Sequence, residues 1–116
     1  MNNPIADFVD QLTSISRELT EVRRQHFADQ GELLPHVLMG EITRLVIKNV
    51  GREQVDWLPE LLQQLEVGLE SGNDDIAELV GVSFVENLVG ENAAIQTLLP
   101  GMGDALRREV RSICGV

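Results

Sequence analysis

Two histidines and one cysteine are the residues of this sequence best suited to acid–base, metal-binding or nucleophilic chemistry near neutral pH. His26 and His36 lie close in sequence to three carboxylates. Imidazole and carboxylate ligands bind zinc and related metals when they converge. The spacing here matches no known ligand pattern, so we predict structural roles for both histidines, with no metal site and no cofactor. The carboxylates are Asp29, Glu32 and Glu41.

Cys114 is the only thiol, so an internal disulfide is ruled out, as is usual in a reducing cytosol. No nearby residue supplies a general base to activate it, and we predict an inert thiol. The glycines form no phosphate-binding loop. The sequence therefore predicts no catalytic residue and indicates that the protein is not an enzyme.

The elements that would position these side chains are helices. Apolar residues recur at alternating steps of three and four from Ile5 to His26, which predicts one long first helix with a heptad seam. Asn3 is its expected cap, and the run Asp29-Gln30-Gly31 is its expected end. The seam residues are Ile5, Phe8, Leu12, Ile15, Leu19, Val22 and His26.

Five further helices follow from periodicity, capping residues, proline and glycine. Asn73 is the expected cap of the fourth helix, whose first turn holds Asp74 and Asp75. This fourth helix has a main apolar face and a second one formed by valines, so we expect it to be the most buried. The valines are Val82, Val85 and Val89. The predicted helices run from about Pro35 to Asn49, from about Asp56 to Ser71, from Asp74 to beyond Leu88, from Asn92 to Leu99, and from Asp104 to Cys114.

No segment shows a convincing period of two, so the predicted class is all-α. A length of 116 residues suits one domain, and we expect residues 1–116 to form a bundle of about five to six helices. Aromatic residues make up only 3% of the chain, so Leu, Ile and Val must fill the core. Trp57 is expected to be a core anchor rather than a partner-facing residue.

Acidic residues are concentrated in the second half of the chain. Residues 53–106 contain eleven carboxylates and no lysine or arginine. This segment therefore accounts for the negative net charge of the whole chain, which is −10. Such a field repels nucleic acid and anionic membranes and attracts a basic partner. The eleven residues, called here the acidic block, are Glu53, Asp56, Glu60, Glu66, Glu70, Asp74, Asp75, Glu78, Glu86, Glu91 and Asp104.

The acidic block has two interpretations. The carboxylates can serve solubility, or pair with Arg107, Arg108 and Arg111 of the last predicted helix. Alternatively they can bind a basic protein. We favour binding, because exposed helices usually mix both signs of charge to gain stabilising pairs one turn apart, and this region has none. The predicted partner-binding residues are Glu60, Glu66, Glu70, Asp74, Asp75, Glu78 and Glu86.

Two segments, residues 33–44 (LLPHVLMGEITR) and residues 82–88 (VSFVENL), resemble a family of small all-α bacterial proteins. Some proteins of that type are immunity proteins of contact-dependent growth inhibition or related polymorphic toxin systems. The resemblance covers about residues 30–90 and brings no catalytic residues with it. It implies a cytosolic protein that binds and blocks a toxin domain, often a basic nuclease.

Two other functions remain open on the sequence. The heptad seam of the first helix could pair two copies of the chain as a coiled coil, unless it packs within its own chain. The protein would then be a homodimer or a helical adaptor without a toxin partner. A small metal-dependent enzyme would use His36 with Glu32 or Glu41. The first residues show no signal peptide, and no apolar run approaches the roughly 18 residues of a membrane span. We therefore expect a cytoplasmic protein that binds neither membrane nor nucleic acid.

Overall fold

Helices form nearly all of the architecture that the computed structural model describes, which comprises residues 3–52 and 55–116. Within those ranges there is no strand, and the predicted all-α class is confirmed. Glu53 of the acidic block lies outside them. The α-helices are α1 (Pro4–Thr13), α2 (Arg17–Gln30), α3 (Pro35–Asn49), α4 (Leu58–Glu70), α5 (Asp74–Glu78), α6 (Asn92–Leu98) and α7 (Asp104–Cys114). A π-helix (Leu79–Val85) and two 3-10 helices (Glu86–Leu88 and Leu99–Gly101) complete the set.

The predicted long first helix is wrong, because the chain breaks between α1 and α2. The Ser14 hydroxyl donates to the Asp10 carbonyl (2.6 Å), which competes with continuation of the helix. Ser16 then adopts an extended backbone, and its hydroxyl accepts the Leu19 N–H (3.1 Å) as the cap of α2. This break, which heptad spacing cannot show, helps to raise the described count to seven α-helices instead of five to six.

The heptad seam packs within its own chain. Phe8, Leu12, Leu19 and His26 are buried, while the other three seam residues are partly buried against the same core. Helix α1 contacts α2, α3, α4 and α5. The surface that motivated a homodimer through the first helix is therefore occupied by the protein's own helices.

The remaining boundaries lie close to those predicted. Helices α3 and α7 begin and end at the predicted residues, and α4 begins at Leu58 rather than near Asp56. Trp57, which precedes α4, is 8% exposed, so its predicted place in the core is confirmed. The buried cluster consists mainly of Leu, Ile and Val, as the low aromatic content required.

The fourth predicted helix is continuous but not α-helical throughout. Its middle is the π-helix, in which each turn holds more residues than an α turn, and the faces rotate accordingly. Val85 is buried, but Val82 and Val89 are 46% and 55% exposed, so the predicted second buried face is wrong. Asn87 likewise lies on the exposed side and donates to the Ser83 carbonyl (2.6 Å).

Candidate functional site

Six of the seven predicted partner-binding carboxylates are exposed. On α4, the side away from the buried leucines faces solvent, and it carries Glu60, Gln63, Val67 and Glu70. From Asp75 to Val89, exposed carboxylates and valines recur at steps of three to four, and the two types alternate from Glu78 onward. We call the exposed carboxylates and valines of these two segments, together with Gln63 and Asp74, the acidic face. It comprises Glu60, Gln63, Val67, Glu70, Asp74, Asp75, Glu78, Val82, Glu86 and Val89.

Glu66 does not belong to the acidic face, because it is 6% exposed. Its Oε2 accepts the N–H of Ala105 (2.9 Å) and its Oε1 accepts the N–H of Leu106 (2.8 Å). These N–H groups open α7 and have no intrahelical partner, and a carboxylate there also meets the favourable end of the helix dipole. Helix α7 has no capping side chain of its own, so Glu66 caps it from α4.

Gly103 permits this approach. A Cβ at position 103 would lie 2.4 Å from the Glu66 carboxyl carbon, well inside van der Waals contact. The glycine therefore belongs to the same structural arrangement as the buried carboxylate.

The acidic face is densest at the turn between α4 and α5. Glu70 ends α4, and Asp74 and Asp75 open α5 three residues after Ser71. The Asn73 side-chain oxygen accepts the N–H groups of Asp75 (3.0 Å) and Ile76 (3.1 Å), which fixes the start of α5. Three carboxylates are thus held on a short, capped turn and project into solvent.

Glu60 lies at the opposite end of α4 and lines two neighbouring grooves there. The larger, about 550 Å³, runs between the α1–α2 junction and the start of α4 and is also lined by Glu18, Asp56 and Trp57. Arg52 is the one basic residue among its lining residues. Sequence reasoning missed Glu18, because its proximity to Glu60 depends on how α1 and α2 meet α4.

The carboxylates of the acidic block form no ion pair among the described residues. The ion pairs present there are Arg23 with Asp10 (2.9 Å) and Arg24 with Glu21. His26 and Glu41 are joined by a hydrogen bond of the neutral ring, with 2.7 Å between Nδ1 and Oε1. The hydrogen bond from Arg24 lowers the pKa of Glu21. Pairing of the block with the α7 arginines is therefore not observed in residues 3–52 and 55–116.

His26 is fully buried and joins α2 to α3. Its Nδ1 lies 2.7 Å from Glu41 Oε1, and its Nε2 accepts the Leu34 N–H (3.0 Å). Both ring nitrogens are occupied by protein groups, which matches the predicted structural role. Glu41 contacts His26, so it does not form the pair with His36 that a metal site would need.

His36 contacts a serine instead of a carboxylate. Its Nδ1 lies 2.5 Å from the hydroxyl of Ser83 in the π-helix. A serine–histidine pair is the core of many hydrolytic sites, but a nucleophile must be reached by its substrate, and Ser83 is 5% exposed. The Thr43 hydroxyl donates to the Met39 carbonyl (2.8 Å) and also lies 3.2 Å from the Ser83 carbonyl. The contact between His36 and Ser83 therefore ties α3 to the π-helix.

The described residues hold no group of three or more potential metal ligands. Cys114 is half-buried and donates its thiol to the Val85 carbonyl (3.6 Å). Burial raises the pKa of this thiol, which keeps it protonated and poorly nucleophilic at neutral pH. No helix in the described part of the chain is long and apolar enough to cross a membrane.

Comparison with known proteins matches the chain to a family model. No curated protein and no solved structure matches the chain. The family model matches residues 5–115, which is almost the full length and includes every helix from α2 to α7. The chain therefore belongs to the family described as Domain of unknown function (DUF7674).

Proposed function

We propose that this protein is an acidic interaction protein that binds and neutralises a basic toxin domain, as an immunity protein of the contact-dependent growth inhibition type does. The observation that carries the proposal is the acidic face. Its carboxylates are exposed, and none forms an ion pair with a described base. A basic protein surface supplies the missing counter-charges.

The valines of the acidic face support a protein partner over a small cation. Val67, Val82 and Val89 are 49%, 46% and 55% exposed, and each lies three or four residues from a carboxylate of the acidic face. Protein interfaces combine apolar contacts at their centre with a polar rim, and the apolar contacts exclude water from the charged ones. Opposite charges then raise the association rate and determine which partner is accepted.

Charge reversal tests the location of the interface. The probe is the purified product of the adjacent gene, in a catalytically inactive form. Reversal of Glu70, Asp74 and Asp75 to lysine should weaken its binding at least about tenfold, which corresponds to about 1.4 kcal/mol. Asp29→Lys is the control, because Asp29 is an exposed carboxylate near the end of α2, away from the acidic face. Equal affinities for the two variants would place the interface elsewhere.

Ionic strength tests the role of charge in the encounter. The association rate should fall steeply between low salt and about 0.5 M, because the Debye length then shrinks to a few Å. Dissociation should change much less, since buried contacts are poorly screened. Stopped-flow mixing measures the association rate. If that rate does not change with salt, the acidic block serves solubility and not binding.

The apolar contribution is tested at Val82. Val82→Ser removes exposed apolar surface and leaves every carboxylate in place. It should raise the dissociation rate of the complex with little effect on the association rate. Thr97→Ser, at an exposed position on α6, is the control. An unchanged dissociation rate would exclude Val82 from the interface.

A further inference from the structure

Helix α7 directs its side chains into different surroundings. Leu106 and Val110 enter the core, and Glu109 lies against the π-helix, where its Oε2 is 3.3 Å from the position of a Cβ on Gly81. Arg107 and Arg111 lie one turn apart on another side. There they line a groove of about 510 Å³ together with Gln96, Leu99 and Pro100.

Arg107 is held in place at this groove. Its Nε–H donates to the Leu99 carbonyl (3.2 Å), and its side chain is half-buried. This bond orients the guanidinium while leaving its terminal amino groups without a described partner. An oriented guanidinium loses less side-chain entropy on binding an anion than a free one.

Neither Arg107 nor Arg111 has a carboxylate within 4.0 Å among the described residues. The chain has 19 acidic residues and 9 basic ones, so carboxylates that could pair with these arginines are plentiful. The fold nevertheless brings two guanidiniums together in a groove and leaves both available.

We propose that this groove binds the phosphate group of a small organic phosphate. Side chains four residues apart on a helix are neighbours, and two guanidinium forks provide several N–H donors to one tetrahedral anion. The Gln96 amide adds a donor from α6. Leu99 and Pro100 supply an apolar surface for the organic part of the ligand.

The acidic residues nearest in sequence do not pair with the two arginines. Glu109 lies beside Gly81 of the π-helix, and Asp104 is exposed in the first turn of α7. Both carboxylates lie more than 4.0 Å from either guanidinium. The acidic face belongs to other helices, and its repulsion is reduced beyond a Debye length of about 8 Å at physiological salt.

Calorimetric titration tests the site with phenyl phosphate as the probe, and inorganic phosphate and benzoate as comparisons. Phenyl phosphate should bind more tightly than either, because it alone offers both the tetrahedral anion and an apolar group. Arg111→Gln should weaken this binding about tenfold or more, a factor that corresponds to about 1.4 kcal/mol. Arg108→Gln is the matched control, since Arg108 is an exposed arginine of the same helix that does not line the groove.

Three outcomes would overturn the proposal. The first is the absence of binding of phenyl phosphate at physiological ionic strength. The second is an equal loss in the Arg108 and Arg111 variants, which would indicate diffuse charge. The third is benzoate or inorganic phosphate binding as tightly as phenyl phosphate. Circular dichroism of each variant establishes that it is folded, and none of these outcomes bears on the toxin partner.

Discussion

Single residues decide several of the long-range contacts, and Glu66 is the clearest case. Glu66→Ala removes the acceptor of two N–H groups at the start of α7, so it should lower the free energy of unfolding by about 1–3 kcal/mol. Glu66→Gln keeps one side-chain oxygen and should cost less. Urea unfolding measures both.

The control for Glu66 is Glu70→Ala, because Glu70 is on the same helix but is exposed and makes no described side-chain hydrogen bond. It should change stability by no more than about 0.5 kcal/mol. If the two alanine variants were equally stable, the cap on α7 would contribute nothing.

His26 provides a prediction about protonation. Because the Leu34 N–H can only donate, Nε2 of the neutral ring must be unprotonated, and the proton must lie on Nδ1, facing Glu41. Imidazole nitrogen shifts from long-range proton–nitrogen NMR should therefore identify the Nδ1–H tautomer. An Nε2–H tautomer would show that the hydrogen bond from Leu34 is absent in solution.

At the scale of elements, glycines determine how closely helices approach. A Cβ on Gly68 would lie 2.7 Å from the Phe8 ring and 3.0 Å from Ile76, both buried. Overpacking of this kind costs about 1–3 kcal/mol, against a gain in helix propensity of about 1 kcal/mol. Gly68→Ala should therefore destabilise the protein in thermal unfolding.

Gly40→Ala is the matched comparison, because Gly40 is also buried within a helix. A Cβ there would make ordinary contacts, 3.5 Å from the Asn87 amide nitrogen and 3.9 Å from Arg44. This variant should gain up to about 1 kcal/mol in stability from helix propensity. Loss of stability in both variants alike would show that close packing at Gly68 is not the cause.

At the scale of the whole molecule, charge is distributed unevenly. The block of carboxylates is free of described ion pairs, so its members repel one another in the folded state. Added sodium chloride screens this repulsion, and the Tm should rise between low salt and about 0.5 M. A double variant, Glu78→Gln with Glu86→Gln, should show a smaller rise. A Tm that falls with salt would mean that favourable charge pairs dominate instead.

The sequence by itself determined the helical class, most helix boundaries and most of the acidic face. Periodicity and capping are local, and burial of a helix face follows from its own residues, so the outer positions of α4 were predictable. The prediction that Glu66 faces a partner was wrong, since it is buried. Its spacing, four residues after Leu62 and three before Leu69, puts it beside the apolar side of α4. The N–H groups to which Glu66 bonds could not be predicted from the sequence.

Only the tertiary structure decided which groups meet across the chain. Glu66 bonds to residues about 40 positions away, and His36 meets Ser83 at a separation of 47. Such pairs depend on how helices cross and where each one begins, which no local spacing encodes. The break at Ser14 and the rotation of faces by the π-helix arise in the same way, because side-chain hydrogen bonds and packing outweigh a regular heptad pattern.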